Sequence, residues 1–278
     1  MNDSPHSPAS GGYRAIDSHS PHMLAGVEGP IGWMTFNKPE KRNAVSLDMW
    51  EAIPAIIRQF EADPAVRVVV LKGAGDKAFV SGADISQFEK SRSAPEVNTH
   101  YEDLTQAASK ALAECAKPTI AMIRGYCIGG GLAIAASCDL RIATEESAFG
   151  IPAARLGVGY AWPGVKKLVE LVGPSFTREI FLTARHFTAA EARDMGLINR
   201  AVAEADLESY TRQYCATIAE NAPLTMSTLK RTVAEVSRGN EADQALCESL
   251  VDACFASADF TEGRRAFMEK RRPVFRGV

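Results

Sequence analysis

"GYCIGGGLAIAASCDL", residues 125–140, places three consecutive glycines, Gly129 to Gly131, between an apolar run and what reads as a short helix. A strand that ends in glycine and opens a helix gathers unpaired backbone N–H groups and a partial positive charge at one point. Such a loop is suited to hold something negative, or something about to become negative. From Leu132 to Ser137 the residues are apolar or a small serine, so no acid, base or strong nucleophile follows the glycines. Glycines after a strand also serve tight turns and close helix packing, and GGG alone does not separate these uses. The GxxxxGK[ST] spacing of a triphosphate-binding loop is absent, as is a GxSxG nucleophile elbow.

On the N-terminal side, "MLAGVEGPIGWMTFN" reads as two short strands around a turn at Gly29-Pro30. "SLDMWEAIPAIIRQFEADP" carries Met49, Ile53, Ile56, Ile57 and Phe60 at helical spacing, with Ser46 as N-cap and a kink expected at Pro54. "VRVVVLKGAG" is a continuous β-branched run, the pattern of a buried strand, and "KPTIAMIRGYCIGGG" reads as another that ends at the glycines. "DLRIATEESAFGIP" adds two short extended pieces. This alternation of strands and helices predicts an α/β architecture.

Beyond Gly164 the chain turns helical. Thr188, Glu191 and Gly196 form a capping box with a glycine stop, and Asp259 with Glu262 is expected to repeat the device. Residues 205–278 form a separate helical region of three or four helices with little sequence left to cover their apolar faces. Residues 1–22, rich in Ser, Pro and Gly and containing His6, His19 and His22, are expected to be a disordered tail. That leaves 23–204 as the core.

The chain has 278 residues, a hydrophobic fraction of 46% and a formal net charge of −3. A sizeable core is therefore affordable, and no basic face for nucleic acid is implied. No apolar run is long enough for a membrane span, and the N-terminus lacks the order of a signal peptide. Six cysteines show no CxxC or CxxH spacing. They read as core thiols in a reducing, cytoplasmic setting, and no metal site is expected.

A second loop, "KAFVSGADI" at 77–85, also follows a buried strand and precedes a helix. Ligands collect at strand ends in α/β sheets. Two such loops side by side can aim two amides at one oxygen, as in an oxyanion hole.

Taken together, "NKPEKRNAVS" at 37–46, "KAFVSGADI" at 77–85, "KPTIAMIRGYCIGGG" at 117–131, "SCDLRIA" at 137–143 and "FTAAEARDMGLINRAV" at 187–202 resemble the crotonase superfamily, which includes enoyl-CoA hydratases and isomerases. The resemblance runs in order from about residue 23 to 276 and implies an α/β spiral of ββα units with a C-terminal helical trimerisation region. It implies an enzyme of fatty acid metabolism, a homotrimer or dimer of trimers, and an acyl-CoA substrate with no other cofactor. By the same resemblance, the amides of Ala83 and Gly130 receive the thioester oxygen. Arg42, Ala44, Ser81, Ala83, Asp84, Ile85 and Gly129 contact coenzyme A. Lys270 reaches the CoA phosphates of a neighbouring subunit, with Phe267 and Phe275 as apolar wall.

The resemblance also implies acid-base carboxyls at three positions, and these are Ala133, Ala153 and Ala161 here. Methyl groups cannot activate water or protonate a carbon. Of the remaining polar candidates, Tyr160 in "LGVGYAWPG" resembles the tyrosine of family acyl-CoA decarboxylases, although those also carry a histidine where this chain has Ala83. Trp162, Arg155 and the His100, Tyr101, Glu102, Asp103 run are further candidates. The expected function is an acyl-CoA enzyme that stabilises an enolate with non-standard acid-base groups. Decarboxylation or thioester hydrolysis using Tyr160, and a CoA-binding pseudoenzyme, stand as alternatives.

Overall fold

A computed structural model describes residues 12–84 and 95–278. Eleven strands make two sheets among these residues. The larger holds β1 (Arg14–Ile16), β2 (Met23–Glu28), β3 (Ile31–Phe36), β4 (Val68–Gly73), β6 (Thr119–Ile123), β8 (Leu140–Thr144) and β11 (Arg200–Val202), adjacent in that order. The smaller runs β10 (Phe187–Thr188), β9 (Ala148–Gly150), β7 (Tyr126–Ile128), β5 (Ala78–Val80). β2 and β3 form the expected antiparallel hairpin, with Glu28 paired to Ile31 across Gly29 and Pro30. From β3 onward the large sheet is parallel.

Successive strand pairs split between the sheets: β4, β6 and β8 enter the large sheet while β5, β7 and β9 enter the small one. Helices α2 (Pro95–Glu114), α3 (Gly130–Ser137) and α4 (Trp162–Thr183) follow these pairs in turn, so the chain advances as a spiral of ββα units. This corrects the expectation of one strand over "KPTIAMIRGYCIGGG". The run breaks at Arg124-Gly125, where Gly125 has φ +66 and a Cβ would lie 2.1 Å from the Lys77 carbonyl oxygen. Only glycine permits so sharp a turn at so close an approach. The break sends Cys127 and Ile128 to the second sheet and delivers the triple glycine to its edge.

α1 (Leu47–Ala62) starts at Ser46 as expected and runs unbroken across Pro54. Its buried Met49, Trp50, Ile53, Ile56, Ile57 and Phe60 belong to the main core. Each such side chain contributes about 1.5–3 kcal/mol on burial, which outweighs the one backbone hydrogen bond that proline forfeits. α4 is interrupted at Gly173 (φ 74, ψ 170), just before Pro174. α5 (Ala189–Asp194) carries the expected capping box: Glu191 N–H donates to Thr188 Oγ1 at 3.3 Å, and Thr188 N–H donates to Glu191 Oε2 at 2.8 Å.

The outer face of the large sheet is closed by α6 (Leu207–Ala219), whose Leu207 and Cys215 join Trp33, Val68, Val70, Ile120, Met122 and Ile142 in a second core. α7 (Pro223–Val236), α8 (Gln244–Ala256) and α9 (Ala258–Met268) follow. The cap of α9 is Ser257, whose Oγ accepts from Phe260 N–H at 3.0 Å, and not Asp259. Asp259 is buried and accepts instead from the Arg276 and Gly277 amides, each at 2.7 Å, tying down the C-terminal arm. Residues 14–16, expected within a disordered tail, form β1 by pairing with the exposed edge of β2. Residues 1–11, with His6, lie outside the described residues.

Cys115, Cys127, Cys138 and Cys215 are buried, and burial pushes all four thiols up, Cys115 to about 11. They pack as small core groups, as expected. Among the described residues no helix is long and apolar enough to cross a membrane.

Candidate active site

The segment 38–45 and the loop 81–84 are laced together by their backbones. Ser81 N–H donates to Arg42 O at 3.1 Å, Val45 N–H to Gly82 O at 2.8 Å, and Asp84 N–H to Val45 O at 3.0 Å. Val45 and Ala83 thus form a parallel bridge. Since the groups flanking Ala83 both bond to Val45, the Ala83 N–H points to the opposite side, as backbone groups alternate along an extended chain.

On that side stands the triple glycine. Gly129 N–H is pinned to Gly150 O at 2.8 Å, and Gly129 adopts φ 55, ψ −115, a region open only to glycine. A Cβ on Gly129 would sit 3.8 Å from Gly82 Cα, and one on Gly130 would sit 3.8 Å from Ala83 N. The two loops are therefore immediate neighbours. Gly131 has a different cause: a Cβ there would lie 2.2 Å from the Val80 carbonyl oxygen, so α3 packs onto β5 backbone to backbone. Gly130 N–H opens α3, where helix geometry provides no acceptor. Neither Ala83 N–H nor Gly130 N–H donates to a backbone acceptor among the described residues. Two undonated amides on adjacent loops, one carrying the positive end of a helix, are suited to an oxygen that gains negative charge.

Arg42 and Asn43 both take left-handed conformations, at φ 51 and 56. Asn43 is fully buried, accepts from Lys38 N–H at 2.9 Å and donates to Ala74 O at 2.9 Å and Ala78 O at 2.8 Å. It holds the 38–45 segment against the β4–β5 turn. The Asp84 carboxylate is also internal. Lys38 Nζ reaches it at 2.8 Å and Lys41 Nζ at 3.3 Å. Asn43 and Lys38 did not stand out in the sequence; the only local signal was an asparagine, a residue that tolerates left-handed backbone.

Of the residues assigned to coenzyme A by resemblance, Arg42, Ala44, Ser81, Ala83, Asp84 and Gly129 are brought to these two loops, and Ile85 lies outside the described residues. The Arg42 guanidinium lies 5.4 Å from the Tyr126 ring centre. Beside it, a cavity of about 210 Å³ is lined by Arg42, Lys77, Asp76 and Pro39, among others. Lys270 stands at the end of α9 in a left-handed conformation, and no ion pair ties its side chain to either loop among the described residues. Phe267 is exposed and Phe275 half-buried.

An aromatic wall adjoins the glycines. The Trp50 ring edge would be 3.2 Å from a Cβ on Gly130, and the Tyr101 ring meets Trp50 edge-on at 6.4 Å. Tyr160 packs edge-on against Phe181 at 4.9 Å. Burial, reinforced by the nearby Tyr101 phenol, pushes Tyr160 up to about 12. It is a neutral donor at physiological pH. Of the 100–103 run, only Tyr101 packs on the core; His100, Glu102 and Asp103 are exposed. Arg155 and Trp162 are exposed as well. Ala133 is half-buried in the first turn of α3, and Ala153 is buried three residues beyond the Gly150 that anchors Gly129.

The enoyl-CoA hydratase/isomerase family model matches residues 26–278. The short-chain-enoyl-CoA hydratase of Clostridium acetobutylicum is 33% identical over 259 residues, spanning 90% of this chain and 96% of that protein. The crotonyl-CoA hydratase of Syntrophomonas wolfei is 32% identical over 256 residues, spanning 91% and 97%. A solved structure, an enoyl-CoA hydratase/carnithine racemase from Magnetospirillum magneticum, superposes with a TM-score of 0.88 at 32% identity and covers 93% of this chain and 97% of its own. With the spiral of ββα units and both glycine loops in place, these matches show that the chain belongs to the enoyl-CoA hydratase/isomerase family, within the crotonase superfamily of enzymes.

Proposed function

We propose that this protein binds a coenzyme A thioester with its carbonyl oxygen between Ala83 N–H and Gly130 N–H, and stabilises the enolate that forms there. The observation that supports the reading is that Ala83 N–H and Gly130 N–H, neither of which donates to a backbone acceptor among the described residues, stand on neighbouring loops, where a Cβ on Gly130 would lie 3.8 Å from Ala83 N. Arg42 and Lys77 beside the small cavity are suited to the anionic part of the same ligand. Calorimetry with acetoacetyl-CoA and butyryl-CoA is expected to give dissociation constants near micromolar, about −8 kcal/mol. Absence of heat with both would overturn the reading.

In this reading the acid-base groups differ from a pair of carboxyls. Positions 133, 153 and 161 carry methyl groups, whereas the phenols of Tyr160 and Tyr101 lie by the aromatic wall. A protonated phenol delivers a proton to an enolate or grips a substrate carboxylate, but does not activate water. That favours decarboxylation of a carboxylated thioester as the second reading, whereas thioester hydrolysis would need another group to activate the water. A panel of acyl-CoA thioesters followed by mass spectrometry separates the reactions by gain of water, loss of water or loss of carbon dioxide. Binding without turnover of any thioester would mark a binding protein instead. Tyr160→Phe is expected to lower turnover of the identified thioester at least about tenfold, near 1.4 kcal/mol in barrier. Unchanged turnover would assign the ring to packing alone. Because the folded phenol titrates at about 12, its proton remains available past the usual tyrosine value of about 10.

The assembly is proposed to be a homotrimer or a dimer of trimers. Leu229, Val233 and Val236 on α7, Val251 and Phe255 on α8, and Phe267 and Met268 on α9 are all exposed. Apolar residues in such number on one helical region mark an interface. Light scattering at micromolar protein is expected to give at least three times the 29.9 kDa chain mass; a monomer mass would refute the proposal.

A further inference from the structure

α4 changes direction at Gly173, whose φ 74, ψ 170 lies outside any helix, in a region essentially restricted to glycine. Pro174 follows and opens the second half, at a position where the missing proline N–H has no helical partner to lose. Thr177 Oγ1 donates to Gly173 O at 2.7 Å and ties the second half to the break. Leu168 and Val172 bury the first half, and Thr177 and Ile180 the second. Both halves are anchored, and a glycine followed by a proline sets the bend between them.

Tyr160 sits where the two halves meet. A Cβ on Gly164, in the first turn, would lie 2.5 Å from Tyr160 Cε1 and 3.2 Å from Cδ1, so one edge of the phenol ring lies against the helix backbone. Gly164 is not among the glycines with positive φ. Its backbone suits alanine, and what excludes a side chain is the Tyr160 ring. From the second half, Phe181 meets the same ring edge-on at 4.9 Å. On an unbroken helix, at about 1.5 Å per residue, Gly164 and Phe181 would stand roughly 26 Å apart, far more than one ring can bridge. The break at Gly173 brings them to the same phenol. Tyr160 also adjoins the Tyr101 phenol, and Tyr101 meets the Trp50 ring that borders Gly130.

We propose that α4 is folded at Gly173 into a clamp for Tyr160, and that Gly164 and Phe181 are positioning residues that hold its phenol where it protonates the α-carbon of a decarboxylating thioester. The inference rests on the decarboxylation reading of Tyr160. In that step the bond from the α-carbon to the carboxylate breaks, carbon dioxide leaves, and the electron pair enters the thioester carbonyl as an enolate. The phenol gives its proton to the α-carbon, and the phenolate takes one back from water. A donor in a loop serves this step only if its hydroxyl is held at one place, because proton transfer demands hydrogen-bond reach.

The test uses malonyl-CoA, the simplest thioester with a carboxylate on its α-carbon, and follows acetyl-CoA formation by the full chain with mass spectrometry. Gly164→Ala is expected to lower kcat at least about tenfold with KM changed less than about twofold. In the Tyr160→Phe background the ring still meets the new methyl but has no proton to give. There Gly164→Ala is expected to change the remaining kcat less than about twofold. Phe181→Leu, which loosens the clamp without adding bulk, is expected to show the same split between backgrounds, and it stands even where Gly164→Ala does not fold. An equal fall in both backgrounds, or unchanged kcat in both single variants, overturns the inference while leaving the role of Tyr160 intact. Malonyl-CoA left unchanged by the unaltered chain, or decarboxylated equally well by Tyr160→Phe, overturns the decarboxylation reading of Tyr160 and this inference with it.

Discussion

Crotonyl-CoA is expected to be hydrated by this protein at a small fraction of the rate usual for a metabolic enzyme, about 1–10³ s⁻¹. Adding water across an enoyl thioester needs one group to take a proton from water and one to deliver a proton to the α-carbon. Each such group contributes about 10²–10⁴-fold. The positions that the family resemblance assigns to them are Ala133 and Ala153. On the proposed reading the Ala83 and Gly130 amides still receive the oxyanion, so binding and enolate stabilisation are expected to persist while the water goes unactivated. The double substitution Ala133→Glu with Ala153→Glu is expected to raise hydration by at least about a hundredfold. Ala133 is half-buried in the first turn of α3, where a longer side chain can extend toward the glycine loop. Ala153 is 7% exposed, and enlarging it costs about 1–3 kcal/mol of packing. Circular dichroism on the variant therefore accompanies the assay. Disappearance of the enoyl absorbance at ordinary enzymatic rates in the unaltered chain would show that other groups handle the water.

The contrast that this expectation rests on, two glycine-loop amides beside alanines at positions 133 and 153, could be read from the sequence because both reside in short local patterns. A strand, a glycine run and a helix start can be read from adjacent residues, and so could the capping box at Thr188 and Glu191. The hairpin at Gly29-Pro30 and the α1 stripe followed from spacing alone. What escaped the sequence depends on tertiary placement. Whether Thr119–Ile123 and Tyr126–Ile128 are one strand or two is decided by a carbonyl of Lys77 lying against Gly125. β1 is a strand because β2 offers it an edge, and its three residues carry no strand pattern of their own. Ser257 displaces Asp259 as the cap of α9 because the C-terminal arm returns to claim the aspartate. The wall of Trp50, Tyr101 and Tyr160 draws on α1, α2 and the approach to α4, three segments far apart in the chain. Tyr160 stood out in "LGVGYAWPG" through its resemblance to the tyrosine of family decarboxylases, but Trp50 was concealed within an apolar helix stripe, where a tryptophan reads as packing.

The Asp84→Ala variant is expected to lose about 3–5 kcal/mol of stability and most of its affinity for acyl-CoA. Asp84 and Lys38 are 46 residues apart in sequence, and their side chains meet at 2.8 Å with only 6% and 9% exposure. Removing the carboxylate leaves the Lys38 ammonium buried, and an uncompensated buried charge costs far more than the pair itself contributes. Lys41, half-exposed and 3.3 Å from the same oxygen, turns to solvent at little cost, so the loss concentrates on Lys38. The functional effect follows from position. Ala83 immediately precedes Asp84, and the bond from Asp84 N–H to Val45 O is one of the two that aim the Ala83 amide at the glycine loop. Once the carboxylate is gone, relief of the buried ammonium is expected to move the 38–45 segment away from the 81–84 loop and so to turn that amide from the proposed thioester oxygen. Lys38→Met in the Asp84→Ala background removes the stranded charge and is expected to recover more than about 1 kcal/mol of the loss, a coupling that a double-mutant cycle reads directly. Urea unfolding of the four proteins, followed with tryptophan fluorescence, supplies the stabilities, and calorimetry with butyryl-CoA supplies the affinities. If Asp84→Ala unfolds within about 0.5 kcal/mol of the unaltered chain, the ion pair does not hold the loop and another contact must aim Ala83.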